Sequence, residues 1–351
     1  MKNKITNLRI SNFKSIREAE LDCARINLFV GKPNVGKSNV LEALSILGSN
    51  YSFTDKFLSE FIRYDNFSQI FHFQDLSNPI IVNSNIGAAF IAHNYERNNF
   101  SFFIGPNNTI ESLQTKIISP NKFYEKYKNS DTPILMSGTI EFTGKIDRDQ
   151  HSEYSPIKKY TFKPNNNIGY RKKSYLLPPN GKNLYSVMET NKRLRDEIPG
   201  LFNEYKLEFL IDPERSSFDL IKKENGIYKK IPYSLVADTL QRIIFHYAAI
   251  FSNKDSIILF EEPESHSFPP YIRELALKII ESTDNQFFIT THSPYLFDTI
   301  VENTAPEDLA IFITYFENYE TKFKKLNSDE ISKILNYGME VFFNLNHFVN
   351  E

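Results

Sequence analysis

The sequence predicts an α/β fold: a parallel sheet with helices, interrupted by a β-rich and helical insertion. Three observations carry that prediction. An apolar run at 26–30, a glycine-bearing loop at 31–36 and a helix-spaced segment at 38–47 follow one another directly. A second apolar run, 256–260, ends in Glu261-Glu262-Pro263-Glu264. A third, 286–290, ends in Thr291-His292-Ser293-Pro294. Short continuous apolar runs, each followed by a helical pattern, are the signature of strands buried on both faces of a parallel sheet.

The other elements follow in order. Residues 5–21 alternate as two antiparallel strands joined around Asn12-Phe13-Lys14-Ser15. Gly48 stops the helix at 38–47. Residues 51–67 are aromatic and mixed, and read as helical. Residues 69–82 run into a strand. From 84 to 175, β-like runs at 87–93, 100–104, 134–142 and 159–163 alternate with Asn, Pro and Gly turns. A helical stretch at 185–209 follows Pro178-Pro179-Asn180-Gly181, and Asn225-Gly226 marks a hairpin. Helices are predicted at 235–251, at 270–280 and from 294, and the tail holds a strand at 310–315 and a helix at 328–336. No repeat or sustained heptad appears. The expected organisation is an N-terminal lobe (1–83), an insertion (84–229) and a C-terminal lobe (230–351).

With 351 residues the chain can bury a large core. A formal net charge of −2 excludes a global basic field, so any nucleic-acid contact must come from a local patch. The single cysteine, Cys23, cannot form an internal disulfide; it fits a reducing cytosol and a buried structural role. No apolar segment follows Met1-Lys2-Asn3-Lys4, and no run reaches the roughly 18 apolar residues of a membrane span. A cytoplasmic chain without membrane contact is expected.

Residues 31–38, Gly-Lys-Pro-Asn-Val-Gly-Lys-Ser, match the phosphate-binding loop of nucleotide triphosphatases. Backbone N–H groups at a helix N-terminus form an anion site, and Gly31 and Gly36 allow the tight path. Lys37 would reach the β- and γ-phosphates of ATP, and Ser38 would offer its hydroxyl to Mg²⁺. Carboxylates at the end of the 256–260 strand meet the other need of phosphoryl transfer. Glu261 is assigned to the metal and Glu262 to the attacking water. The bland alternative is a charged turn after a core strand. His292 ends the neighbouring strand, where it can touch the γ-phosphate; a satisfied structural histidine is its alternative.

These motifs resemble the ABC-type ATPase head of the RecF, structural-maintenance-of-chromosomes (SMC) and OLD (overcoming-lysogenization-defect) group. The likeness rests on Asn12 to Ser15, Gly31 to Asn39 with Leu41 to Leu44, Phe260 to Glu264, and Thr290 to Pro294, and it spans roughly 5–82 and 230–300. The Glu-Glu-Pro-Glu and Thr-His-Ser-Pro forms are most similar to the OLD subgroup. The resemblance implies a P-loop NTPase whose Gly31, Asn34, Gly36, Lys37, Ser38 and Asn39 hold ATP, with Lys14 near the nucleotide. Gln69 or Gln74 falls at the Q-loop, which joins Mg²⁺ to the β-subdomain. Spacing does not separate the two, and Gln74 is carried forward as the metal ligand. His292 takes the H-switch position, and 266–270 the D-loop that crosses a dimer interface.

The signature region departs from the family. Val236 and Asp238 stand where a Ser and a Gly cap the partner's γ-phosphate. An Asp there repels phosphate unless Arg242 or a metal intervenes. Asp238 and Thr239 can instead N-cap the following helix. No long coiled coil is present, and no Asp-x-Asp metal pair of an appended nuclease follows Ile300. The resemblance therefore implies an ATPase switch, a homo-oligomer, paired with a separate effector (nuclease or toxin) in antiphage defence. A RecF-like DNA clamp is the alternative, and a scaffold that scarcely turns ATP over is a third reading. Cations interleave with aromatics at 158–163 and 170–175, as a DNA track would require. A solvated face of the insertion is favoured there.

Overall fold

The computed structural model describes residues 2–52, 54–130, 134–151, 154–164, 173–337 and 341–350. In chain order, β1 (Asn7–Phe13), β2 (Ile16–Asp22) and β3 (Ile26–Val30) lead to helix α1 (Lys37–Leu47). Next come β4 (Ile80–Ser84), β5 (Gly87–Asn94), β6 (Asn99–Gly105), α2 (Thr109–Thr115), α3 (Pro120–Tyr127), β7 (Met136–Ile140), β8 (Ile146–His151) and β9 (Ile157–Tyr160). Two short helices, α4 (Leu184–Thr190) and α5 (Lys192–Glu197), precede the meander β10 (Glu208–Asp212), β11 (Ser217–Glu224) and β12 (Ile227–Pro232). The chain ends with α6 (Asp238–Ser252), β13 (Ile257–Glu261), α7 (Pro269–Glu281), β14 (Gln286–Thr290), α8 (Pro294–Asn303), β15 (Leu309–Glu317), β16 (Glu320–Lys325), α9 (Ser328–Tyr337) and α10 (Leu345–Asn350).

The central sheet has the order β16-β15-β3-β14-β13-β9, and every pair is parallel except β15 with β16. Its strands alternate between two cores. Leu28, Val30, Ile258, Phe260, Phe287 and Ile289 face the helices α6, α7 and α8. Phe29, Leu259, Phe288 and Phe312 face α1 and the first antiparallel strands. Burial on both faces explains the continuous apolar runs. A seven-stranded antiparallel sheet, β2-β1-β4-β5-β6-β7-β8, covers α1 from the other side. Helices α2 and α3 close a small third core over its outer face, around Phe90, Phe103 and Phe123.

Most predicted elements stand where expected, with four differences. Residues 51–67 form no α-helix. Phe57 and Phe67 meet edge-on at 5.8 Å and pack into the core near Phe100 and Phe102, so turns replace one helical stripe. The run read at 159–163 is β9, which pairs in parallel with β13 at the edge of the central sheet. Helices α2 and α3 lie inside the stretch read as β. Strand β16 returns from β15 through Asn318-Tyr319, both at positive φ (50° and 64°), a two-residue turn of the twist-matched kind. The Asn225-Gly226 hairpin forms as predicted. Among the described residues no helix is long and apolar enough to cross a membrane.

The position of β9 overturns the solvated reading of its lysines, for Lys158 and Lys159 are buried. Lys158 Nζ donates to Asn253 Oδ1 (2.6 Å) and Ser256 Oγ (2.9 Å) and lies 4.1 Å from the Tyr175 ring centroid. Residues 170–172 of the second basic run lie outside the described residues. Burial pushes the Lys158 ammonium down to about 7. Because the folded value lies below the unfolded one, the unfolded chain binds more protons between about pH 7 and 10, and stability rises with pH across that window. Denaturation of wild type and Lys158→Met at pH 7 and pH 9 checks this. The wild type should gain about 1–2 kcal/mol on the variant between the two.

Candidate active site

Strand β3 ends the phosphate loop's approach, and the loop turns within a few ångströms of β15 and β16. A Cβ on Gly31 would sit 2.1 Å from the Thr314 carbonyl oxygen, and one on Gly36 would sit 2.1 Å from Thr321 Oγ1. Gly36 is also left-handed (φ 92°), as is Asn34 (φ 62°). Helix α1 starts at Lys37 with no side chain capping its N-terminus and no acidic residue in its first turn. Its first N–H groups are therefore left for an anion. Lys37 is buried, and Nζ donates to the carbonyls of Gly31 (2.9 Å) and Lys32 (2.8 Å) within its own loop. Burial pushes it down to about 8, with Glu262 opposing.

Parallel pairing sets Glu261 opposite Thr290, so the carboxyl ends of β13 and β14 lie side by side. Glu262 then turns left-handed (φ 44°), with its N–H on the Thr290 carbonyl at 3.0 Å. That backbone is strained for a non-glycine residue and aims the side chain across to β14. Glu262 Oε1 lies 3.3 Å from His292 Nε2. Glu264 is buried beneath them. It accepts from Thr291 Oγ1 (2.6 Å) and the His292 N–H (2.9 Å), so it fixes the loop that carries His292. Burial holds Glu264 above the usual carboxylate range. Burial and the Lys37 charge hold His292 below its ordinary value, against Glu262.

A cleft of about 600 Å³ joins these parts. Lys14, Asn34, Gly36, Lys37, Ser38, Asn39, Glu261, Glu262 and His292 all line it, with Gly31 beneath Lys37. Gln69 and Gln74 do not. The Gln69 carboxamide accepts from the N–H groups of Asp65 and Asn66 and closes a capping box. Gln74 is exposed and left-handed (φ 58°), accepts from Ser68 Oγ, and lines an adjoining pocket. It is not brought to the Ser38–Glu261 pair.

Sequence reasoning missed a set of cations. Glu42 of α1 is fully buried and accepts from Lys14 Nζ and from Arg63 Nε (3.1 Å). Arg63 also reaches Glu261 Oε1 (3.2 Å), while Lys159 holds Glu261 Oε2 (3.0 Å). Burial alone would raise Glu261; Lys159, the Ser38 hydroxyl and Arg63 outweigh it and hold the carboxyl below its usual range. The opposite wall carries Arg242 and His246 of α6. Arg242 pairs with Asp238 at 3.4 Å and stacks 4.6 Å over the Phe162 ring. The Asp238 charge is thus answered, as the sequence required. Neither Asp238 nor Thr239 caps α6: Ala237 is the N-cap, and Thr239 Oγ1 donates to the His266 carbonyl.

The Ser38 hydroxyl and Glu261 carboxylate fit Mg²⁺, which takes one or two protein oxygens and completes its shell with phosphates and water. Among the described residues no group of three or more His, Cys, Asp or Glu forms a self-sufficient metal site.

Residues 26–298 match the family described as AAA domain, putative AbiEii toxin, Type IV TA system. The chain belongs to this family. This AAA-domain chain is also similar to a Helicobacter pylori (strain ATCC 700392 / 26695) protein named ATP/GTP phosphatase, with 21% identity over 339 residues, 87% of this chain and 90% of that one. Among solved structures it resembles the SMC head bound to the C-winged helix domain of ScpA, with a TM-score of 0.52 and 12% identity over 94% of this chain and 99% of that one. That likeness shows the fold, an α/β P-loop ATPase fold like that of the SMC head, and the AAA domain is an ATPase.

The low value of Lys37 has a measurable consequence. Above about pH 8 the free enzyme loses the loop's ammonium charge, so kcat/KM for ATP should fall there. Bound phosphates raise that value again, so kcat should hold to higher pH. Initial rates between pH 6.5 and 9.5 check both limbs.

Proposed function

We propose that this chain is an ATP-driven switch, the ATPase subunit of a prokaryotic defence system of OLD type that acts through a separate effector. One observation carries the catalytic part. Glu262 and His292, from adjacent strand ends, stand 3.3 Å apart in the cleft that also holds Lys37 and Ser38. On ATP binding, Lys37 exchanges the carbonyls of its own loop for β- and γ-phosphate oxygens. Ser38 and Glu261 would hold Mg²⁺, which supplies charge neutralisation on the phosphates when bound. Glu262 orients the attacking water, and His292, beside it, senses the γ-phosphate.

The family's description as a putative toxin of a type IV toxin–antitoxin system supports a two-component system in which this chain has a partner. Exposed Leu235 and Phe268, which line one apolar groove beside the signature region, support a homo-oligomer closing over that face. The clamp-on-DNA reading draws less support, because Lys158 and Lys159 are buried. Residues 1–83 and 230–351 are read as the two ATPase lobes and 84–229 as the insertion, with β9 lent to the central sheet.

Lys37→Ala should abolish ATP binding. Glu262→Gln should still bind ATP but turn it over about 10²-fold more slowly or worse. Nucleotide binding by equilibrium dialysis and phosphate release separate the two. Wild-type turnover in Glu262→Gln would overturn the assignment.

A further inference from the structure

We infer that the pocket between the end of β9, the start of α4, the β11–β12 meander and α6 is a second ligand site, separate from the phosphate loop, and that it takes a guanine nucleotide. The inference stands apart from the ATPase reading, because it uses none of the residues assigned there.

This pocket holds about 450 Å³, within the range of small-molecule sites. Among the described residues, only Phe162 lines both this space and the cleft at the phosphate loop. The walls are aromatic. Phe218 and Phe245 are buried, and Phe162 is half-buried. The Phe162 and Phe245 rings meet edge-on at 5.7 Å. Such walls suit a planar ring.

Two buried side chains leave acceptors for the pocket. Asp219 is 6% exposed, and Lys230 Nζ stands 2.7 Å from its buried Oδ2, which leaves Oδ1 to face a ligand. Gln241 is 5% exposed, and its Nε2 donates to the Val236 carbonyl (2.8 Å), which leaves Oε1. A ligand must bring donors to these two oxygens, because an acceptor placed there goes unsatisfied. Guanine carries N1–H and the 2-amino group side by side, one donor for each oxygen. Adenine sets an acceptor beside its amino group and matches only one. The mouth is cationic. Lys163 and Arg215 are exposed and form no ion pair among the described residues. Cations free of partners answer a phosphate. Donors inward, ring between aromatic walls and anion outward is the order of groups in a guanine nucleotide.

Calorimetric titration of the full chain with GMP, AMP, xanthosine monophosphate and L-arginine tests the site. Wild type should bind GMP about tenfold more tightly than AMP. Lys37→Ala should bind GMP as wild type does, since the phosphate loop takes no part. The double variant Lys163→Ala/Arg215→Ala changes exposed side chains only and should weaken GMP about tenfold. In Asp219→Asn the amide oxygen keeps Lys230, and the NH₂ group faces the pocket. Xanthine has a carbonyl where guanine has its amino group, so preference in this variant should pass from GMP to xanthosine monophosphate. That gain of binding also certifies the variant's fold. Equal affinity of wild type for GMP and AMP overturns the site. So does loss of GMP binding in Lys37→Ala, which would put the ligand at the phosphate loop. Unchanged GMP affinity in the double variant overturns it too, as does binding of L-arginine without GMP, which would make the pocket an amino-acid site.

Discussion

The last hairpin presses so closely on the phosphate loop that only glycine fits at either end of the turn. Thr314 from one strand and Thr321 from the next occupy the space where the side chains of residues 31 and 36 would lie. The rest of the site depends on that contact. It shapes the loop, leaves the start of α1 open to an anion, and ties the hairpin to the β1–β2 turn through Ser15. A loop held this way is organised before any ligand arrives, so binding need not spend free energy on ordering it.

The Glu262–His292 end is built differently, by strand register. Parallel pairing of β13 with β14 brings Glu261 and Thr290 level, and one left-handed residue turns Glu262 toward His292. Glu264 beneath them does not line the cleft. It binds the chain around His292 and so holds His292 beside Glu262. Its second oxygen is buried without a hydrogen bond, which matches the upward push on its proton affinity.

Much of this was legible in the sequence, for a physical reason. β3, β13 and β14 are buried on both faces, and strands of that kind announce themselves as unbroken apolar runs. The residues at their ends could then be placed by topology alone. What stayed hidden was carried by long-range pairing. Lys158 and Lys159 read as a basic surface because nothing local signals burial; the partners of Lys158 lie 95 and 98 residues further on. Arg63 sits in an aromatic stretch without a motif, and its worth appears only beside Glu42 and Glu261. Gln69 and Gln74 could not be told apart by spacing. The fold separates them: both border the neighbouring pocket, but the Gln69 amide is spent on capping while Gln74 is exposed.

Glu261 is neutralised before any ligand arrives. Its two oxygens are gripped by Lys159 from one side and Arg63 from the other. A lone divalent cation arriving at this carboxylate meets two resident positive charges and gains little. A cation arriving on a triphosphate would bring negative charge to offset those two side chains. If this carboxylate holds the metal, as proposed, the metal would therefore bind weakly alone and more tightly together with a triphosphate.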